Sequence, residues 1–396
     1  MTGPGADGQP PHDERTPGLD RPLEPDLGDA PESNAPDPDG LEPSAPQPNA
    51  LDANEPDAPM PESDPDGPPG AGIFTLEGRR APGLYLVSWI LTVGGLAVTF
   101  VLGPMASDPD WRPILVFVGA LAVTLGLAAG AGSQILERAD RDPERYRGPA
   151  PLLVFGVYFF AMSMVGLVLL SVIGVDPERP FNFLGIGVVQ AAGYILVVWL
   201  FGVRTDALTW PQMGWPTWAG ASAANILRGA GTAALVMLPV TLLLLIVGGI
   251  VGLLLCTEAP QVLPLSETFA DGVFVVLAAA IVIPIGEEVF FRGFAQTAWT
   301  RDLGPRRGLL LATAFFAVVH VVNIDALSFR EGISQVALTL IVLVPVGYVL
   351  GWLFARYGLV AAISGHITYN SLLLALAYAV SRVPEPDEAP LQGWCQ

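Results

Sequence analysis

The sequence predicts an all-α fold: a polytopic bundle of eight or nine transmembrane helices behind a disordered, acidic, proline-rich N-terminal tail. Three observations predict it. Of the 396 residues, 52% are hydrophobic and 14% charged, against about 25% charged in soluble domains. From residue 81 onward, apolar runs of roughly 20 residues recur between short polar breaks, the length that spans ~30 Å of hydrocarbon. The net charge of −19 is concentrated at one end. Residues 1–70 hold about 17 acids and two arginines, Arg15 and Arg21, which leaves about −4 for the rest of the chain.

The tail comes first. Residues 1–72 contain phrases such as LEPSAPQPNALDANEPDAPMPESDPDGPPGAG, rich in Pro, Asp, Glu and Ala and almost free of aromatics. Such a segment buries too little apolar surface to offset its ordering entropy. It reads as an extended tether, with a partner-binding tail as the alternative, and anionic lipid repels it. The apolar runs then place helices near 83–103, 113–132, 151–174, 184–203, 232–256, 270–298, 308–323, 335–355 and 359–380. The 308–323 run is short for a full crossing. The 270–298 run is long and contains Pro284, which predicts a kink or break there. The chain accordingly divides into the tail (1–72), N-terminal transmembrane helices (81–256), a transmembrane core carrying the chemistry (257–382) and a C-terminal tail (383–396).

Arginine placement predicts orientation. Arg79 and Arg80 precede the first run, Arg138, Arg141, Arg145 and Arg147 lie in the second loop, Arg301, Arg306 and Arg307 follow the sixth run, and Arg356 follows the eighth. The alternate loops are acidic or carry one arginine each. The positive-inside rule then puts the N-terminus in the cytoplasm and, with nine spans, the C-terminus outside. Residues 204–229, with Trp210, Trp215 and Trp218, read as an interfacial stretch on the cytoplasmic side. No cleavable signal peptide opens the sequence, and the first run can serve as an uncleaved anchor. The basic residues are all arginine, which suggests a GC-rich bacterial genome and a bacterial cytoplasmic membrane. Cys256 and Cys395 give neither a disulfide framework nor a metal pair. Cys256 reads as packing and Cys395 as exposed.

Ionisable residues inside membrane spans are costly, so each is a functional candidate. GEEVFFRGF (286–294) places Glu287, Glu288 and Arg292 at the end of an apolar run. Glu288 and Arg292 are four apart and can pair on one helix face. Glu287 is rotated about 100° from Glu288 and points elsewhere. The competing reading ends the helix at Gly286 and leaves these charges in water. FFAVVH places Phe316 and His320 four apart, and His320 alone could be a structural histidine. SGHITYN places His366 and Asn370 four apart, which could be helix–helix adhesion. Gln190, Gln296, Asn323 and Gln335 read as packing contacts or span ends. At a 1.5 Å rise per residue, Glu287, His320, His366 and Asn370 all lie roughly 10–20 Å along their spans from the same end. Ionisable groups sharing one depth suggest a buried site.

These three elements, E-E-x-x-x-R, F-x-x-x-H and H-x-x-x-N, resemble those of the CPBP intramembrane proteases, the family of CAAX proteases and bacteriocin-processing enzymes. It includes the Ras-converting CAAX endopeptidase and abortive-infection-type bacterial proteins. The resemblance spans roughly residues 190–380, with no departure at the motif positions. It implies hydrolysis of peptide bonds within the membrane, with a peptide or protein substrate and no nucleic acid. It implies Glu287 as general base, His320 orienting and activating a water, and His366 and Asn370 donating to the oxyanion. Glu288, Arg292 and Phe316 are implied as supporting residues. The family's glutamate mechanism requires no cofactor. Its metalloprotease reading would use zinc on Glu287, His320 and His366, although the zinc signature H-E-x-x-H on one helix is absent. Donors aimed at an oxyanion in a low-dielectric cavity are worth about 3–4 kcal/mol. Two other readings stay open: a non-catalytic scaffold or immunity-type member of the family, and a transporter with a proton relay, for which no inverted repeat is visible.

Overall fold

The computed structural model describes residues 75–215, 223–255, 268–323 and 329–381. The predicted tail, both cysteines, Trp218 and the C-terminal stretch lie outside the described residues, as does the side chain of Asn323. The structure is 84% helical, with no strand among the described residues. Eight helices there are long and apolar enough to cross a membrane.

The helices fall where the apolar runs placed them. They are α1 (Pro82–Met105), α2 (Trp111–Arg138), α3 (Pro151–Val172), α4 (Pro180–Val203), α5 (Ala223–Ile250) and α6 (Phe269–Leu303). α7 (Pro305–Val319), α8 (Phe329–Tyr357) and α9 (Leu359–Ser381) complete the bundle. Proline stands at the first turn of α1, α3, α4 and α7, where its missing N–H is an orphan anyway. α7 has 15 residues, about 22 Å, so the short seventh run gives a short helix rather than a full crossing. α5 begins at Ala223 instead of near 232. The interfacial stretch expected over 204–229 therefore shrinks to the turns after Val203, with Pro211–Met213 in a 3₁₀ turn.

Pro284 does not break α6. The chain is π-helical over Leu277–Val282, α-helical over Ile283–Glu288 and π-helical again over Val289–Gln296. The missing N–H of Pro284 falls where the ladder changes register, so the helix absorbs it without ending. Mid-helix π turns are rare and cluster at functional sites.

α6 sits at the centre. It packs against α4, α7 and α9, while α1 to α4 follow one another as neighbours and α9 also contacts α5 and α8. Every residue from Gly286 to Ala298 is buried, and an aromatic cluster surrounds them. Phe155, Phe290, Phe291, Phe315 and Phe316 meet edge-on or tilted at 5.2–6.3 Å, the spacing at which ring quadrupoles attract. The outer faces carry exposed Leu, Ile, Val, Phe and Trp, such as Leu235 and Phe100, as a lipid-facing surface requires.

The arginine-bearing ends share one face. Arg79 pairs with Glu137 at 2.8 Å, Arg80 with Asp140, and Arg141 with Asp302 at 3.7 Å. Tyr146 anchors the α2–α3 loop there: its N–H donates to Asp302 Oδ1 at 3.3 Å and its hydroxyl to the Pro149 carbonyl at 2.8 Å. Burial pushes this phenol well above its ordinary pKa. On the same face, Gly304 at φ +86° makes the abrupt turn from α6 to α7.

A close helix approach adjoins the charged stretch. A Cβ placed on Gly286 would lie 2.6 Å from Ala191 Cα and 2.9 Å from its Cβ. Since one of these atoms is backbone, only a shift of the whole helix relieves the clash. Gly286→Val should therefore push α4 from α6, at about 1–3 kcal/mol of overpacking. It should also move the adjacent Glu287, for which a 1 Å displacement costs about 10²-fold in rate. Thermal unfolding in detergent and peptide cleavage should both fall. Wild-type stability in this variant would show that the packing is looser than described.

Candidate active site

The spacing of the charges in GEEVFFRGF has a simple origin in α6. Glu288 and Arg292 lie one turn apart, and Arg292 Nη1 donates to Glu288 Oε1 at 2.9 Å with both side chains buried. Arg292 Nη2 reaches the Gly347 carbonyl on α8 at 3.4 Å, and the guanidinium lies 4.2 Å from the Phe316 ring centre. The charge is thus held by a carboxylate, a carbonyl and a ring face, which is how a buried arginine is tolerated. The alternative of a helix ending at Gly286 with its charges in water does not hold.

Glu288 has a second partner. His366 Nδ1 lies 2.8 Å from the same Oε1. A carboxylate only accepts, so Nδ1 carries a proton, and in the neutral form of the ring Nε2 is the lone pair. His320 is fixed in the same sense by other means. It caps the C-terminus of α7, where its Nδ1 lies 2.7 Å from the Phe316 carbonyl one turn back. A carbonyl also only accepts, so Nδ1 carries a proton, and in the neutral form of the ring Nε2 is again the lone pair. The Phe316 ring lies tilted against His320 at 4.6 Å and meets His366 edge-on at 6.0 Å. Phe316 therefore touches Arg292 and both histidines, which accounts for the F-x-x-x-H pairing.

Both lone pairs face Glu287. His320 Nε2 lies 3.7 Å from Glu287 Oε1, and His366 Nε2 lies 3.8 Å from Oε2. Each gap exceeds a hydrogen bond. Three acceptors from α6, α7 and α9 converge with no proton between them when the rings are neutral. Asn370 does not join this contact. It lies one turn beyond His366, and its Nδ2 donates to the Ala279 carbonyl at 2.9 Å. A π turn frees carbonyls from the regular ladder, and Ala279 lies in one.

The donor chemistry suits zinc. Two imidazole nitrogens and a carboxylate form a known set, and each ring's far nitrogen is tied as metal-bound histidines usually are. Among the described residues, no three His, Cys, Asp or Glu side chains are gathered closely enough to hold a metal ion.

Glu287 and His320 open onto a cavity of about 410 Å³ walled by α3 and α4. Beside them in that wall stand Tyr158, Gln190 and Tyr194. The sequence reading left the tyrosines out and gave Gln190 no role. The Gln190-x-x-x-Tyr194 spacing puts both on one face of α4 and was the available signal. Gln296 is the packing contact it was read as, donating to the Gly351 carbonyl at 3.0 Å.

No curated protein and no solved structure matches the chain. One family model does, over residues 269–372, and its description is type II CAAX prenyl endopeptidase, Rce1-like. That stretch runs from the start of α6 into α9 and contains all three motifs. The family implies a protease. Residues 269–372, set in a multi-pass membrane bundle, are thus similar to the Rce1-like type II CAAX prenyl endopeptidases, consistent with the resemblance to the CPBP family of CAAX proteases.

Proposed function

We propose that the protein is an intramembrane endopeptidase that hydrolyses peptide bonds of membrane-associated peptides or proteins, using water activated by Glu287 and His320. The observation that carries this is the convergence of Glu287, His320 Nε2 and His366 Nε2 within 3.7–3.8 Å contacts at the edge of a cavity. With the rings neutral, three acceptors without a donor bind a molecule that brings protons, and water brings two. Glu287 takes one proton as the water oxygen attacks the scissile carbonyl carbon. His320 Nε2 accepts the other hydrogen bond and aims the oxygen lone pair. Glu287 then returns its proton to the leaving amine, the general acid–base cycle that contributes about 10²–10⁴-fold. Glu288, Arg292 and Phe316 position the two histidines. Asn370, tethered to Ala279, flanks the site one turn from His366.

The cavity supports the choice of substrate. Its wall beyond the polar groups is Phe159, Met162, Leu169, Ile186 and Val189, so it suits an apolar stretch of peptide arriving from the bilayer. The shared arginine face, by the positive-inside rule, faces the cytoplasm and carries the N-terminal end of α1.

The cycle runs without a metal. Purified protein in detergent should cleave a quenched-fluorescent library of peptides with apolar flanks, and prolonged chelation should leave the rate within about twofold. Loss on chelation with recovery on added zinc would replace this mechanism with a metal-dependent one. Equal signal from wild type and Glu287→Gln would instead favour the non-catalytic, scaffold or immunity-type alternative.

A further inference from the structure

We propose that the substrate lies extended along α3, from the scissile bond toward the face opposite the arginines, and that Gly166 selects a bulky apolar side chain about four residues from that bond. The inference rests on the endopeptidase reading. It adds the path of the substrate and the residue that sets its specificity. Gly166 lies outside the 269–372 segment.

The cavity has a direction. From Glu287 and His320 its wall follows α3 past Phe159 and Met162 to Leu169 and Leu170, and it reaches Pro177 in the loop beyond. α3 starts from the arginine-bearing loop, so Leu170 and Pro177 mark the opposite face. Both are exposed there. The catalytic level on α3 is near Tyr158, whose ring packs on Phe290, three residues after Glu287. Gly166 comes eight residues later, about 12 Å further along the helix. An extended peptide covers that distance in about four residues.

Gly166 is what points to a side chain. Phe155, Phe159, Met162, Gly166 and Leu169 recur at spacings of three and four, so they form one stripe of α3. All five line the cavity. A Cβ placed on Gly166 would meet no atom within 4 Å. Glycines that let helices approach behave differently here: a Cβ on Gly119, Gly126 or Gly286 would lie 2.3–2.6 Å from a neighbouring helix. Glycine is a poor residue for a helix interior, and a side chain at 166 would displace nothing. Packing therefore does not account for it. Its effect is a notch in a wall otherwise built of large apolar groups, Ile186 and Val189 of α4 among them.

The notch suits a peptide rather than a lipid chain. The cavity is continuous with Glu287 and His320, so a chain lying in it brings one of its bonds to them. Two polar side chains, Ser163 and Gln190, interrupt the apolar wall. Ser163 Oγ donates to the Phe159 carbonyl at 2.8 Å and keeps its lone pairs for an N–H. In hydrocarbon every backbone N–H and C=O needs a partner. An acyl chain has no use for one.

The test compares wild type, Gly166→Ala, Gly166→Leu, Gly185→Leu and Glu287→Gln as full chains in detergent. Gly185 of α4 also meets open space, but on an exposed position, so it controls for added bulk. The substrates are the best peptide of the quenched library and its variants carrying Gly, Ala, Leu or Phe at each position near the cut, on both sides. Wild type should show one position, about four residues from the cut, where Leu or Phe exceeds Gly by about tenfold or more in kcat/KM. Gly166→Leu should reverse this: the bulky peptide falls by about tenfold or more, and the glycine peptide stays within about threefold. Gly166→Ala should lie between, and Gly185→Leu should keep the wild-type preference. No variant should unfold below the wild-type temperature. Wild-type preference in Gly166→Leu, beside an inactive Glu287→Gln, overturns the proposal and leaves the endopeptidase reading standing. An equal loss on every peptide also overturns it, because Gly166 then selects no side chain. Phospholipid that co-purifies with wild type and is lost from Gly166→Leu, with peptide preference unchanged, makes the notch an acyl-chain site and overturns it too. No cleavage above Glu287→Gln by wild type overturns both readings.

Discussion

Glu287→Gln abolishes peptide cleavage and leaves the protein folded, or slightly more stable. The reason lies in what surrounds the carboxylate. Its two oxygens face His320 Nε2 and His366 Nε2 at 3.7 and 3.8 Å. With the rings neutral both nitrogens are lone pairs, because each ring's proton then sits at Nδ1, on the Phe316 carbonyl and on Glu288. A carboxylate there meets acceptors, whereas an amide of the same shape brings two N–H donors. The ground state gains hydrogen bonds and the reaction loses its base. A loss of about 10²–10⁴-fold in kcat is the range for general-base removal. Sites whose groups are poised against stability behave this way, trading it for function. Kinetics and thermal unfolding on the same preparation decide the matter. Retained cleavage removes Glu287 as the base, and a large drop in unfolding temperature shows that its carboxylate holds the fold instead.

Arg292→Met destabilises the protein by about 3–5 kcal/mol, because it leaves the Glu288 carboxylate buried without its cation. The pair has 1% and 0% side-chain exposure and a 2.9 Å contact. Water cannot replace the guanidinium there without opening the aromatic cluster. The double variant Glu288→Leu/Arg292→Met should recover much of the stability, since a buried ion pair often exchanges with packed apolar groups at little net change. It should not recover activity. Without Glu288, His366 Nδ1 has lost the acceptor that fixes its tautomer, so Nε2 no longer faces Glu287 reliably as a lone pair. Stability and catalysis would then separate in one cycle of three variants. If Arg292→Met unfolds at the wild-type temperature, Glu288 has found another partner and the described network is wrong.

Much of this was legible in the sequence, for a reason specific to membranes. A span must be apolar for about 20 residues, and its backbone must bond to itself. The nine apolar runs therefore became helices near their predicted bounds. Any polar residue inside a run was conspicuous, which is why Glu287, Glu288, Arg292, His320 and His366 could be picked out before any packing was known. The i,i+4 pairs Glu288–Arg292 and Phe316–His320 came out as contacts because both members lie on one helix. Where the reading missed, the cause was equally physical. A break at Pro284 did not occur, because a π turn can absorb a missing N–H without ending the helix. Tyr158 and Tyr194 are ordinary residues for a membrane helix, so nothing in composition marked them.

The sequence by itself determined which residues are helical, which are out of place in lipid, and which pairs one turn apart can meet. These depend only on the 3.6-residue turn and on hydrocarbon thickness. The tertiary structure decided how separate helices combine. It brought Glu287, His320 and His366 together from α6, α7 and α9, and it set both imidazole tautomers through Glu288 and the Phe316 carbonyl. It also left Asn370 on Ala279 and set the tyrosine–glutamine cluster in the cavity wall. Such facts rest on close approaches like that of Gly286 to Ala191. No helix's own sequence determines which neighbour it will pack against, or at what rotation.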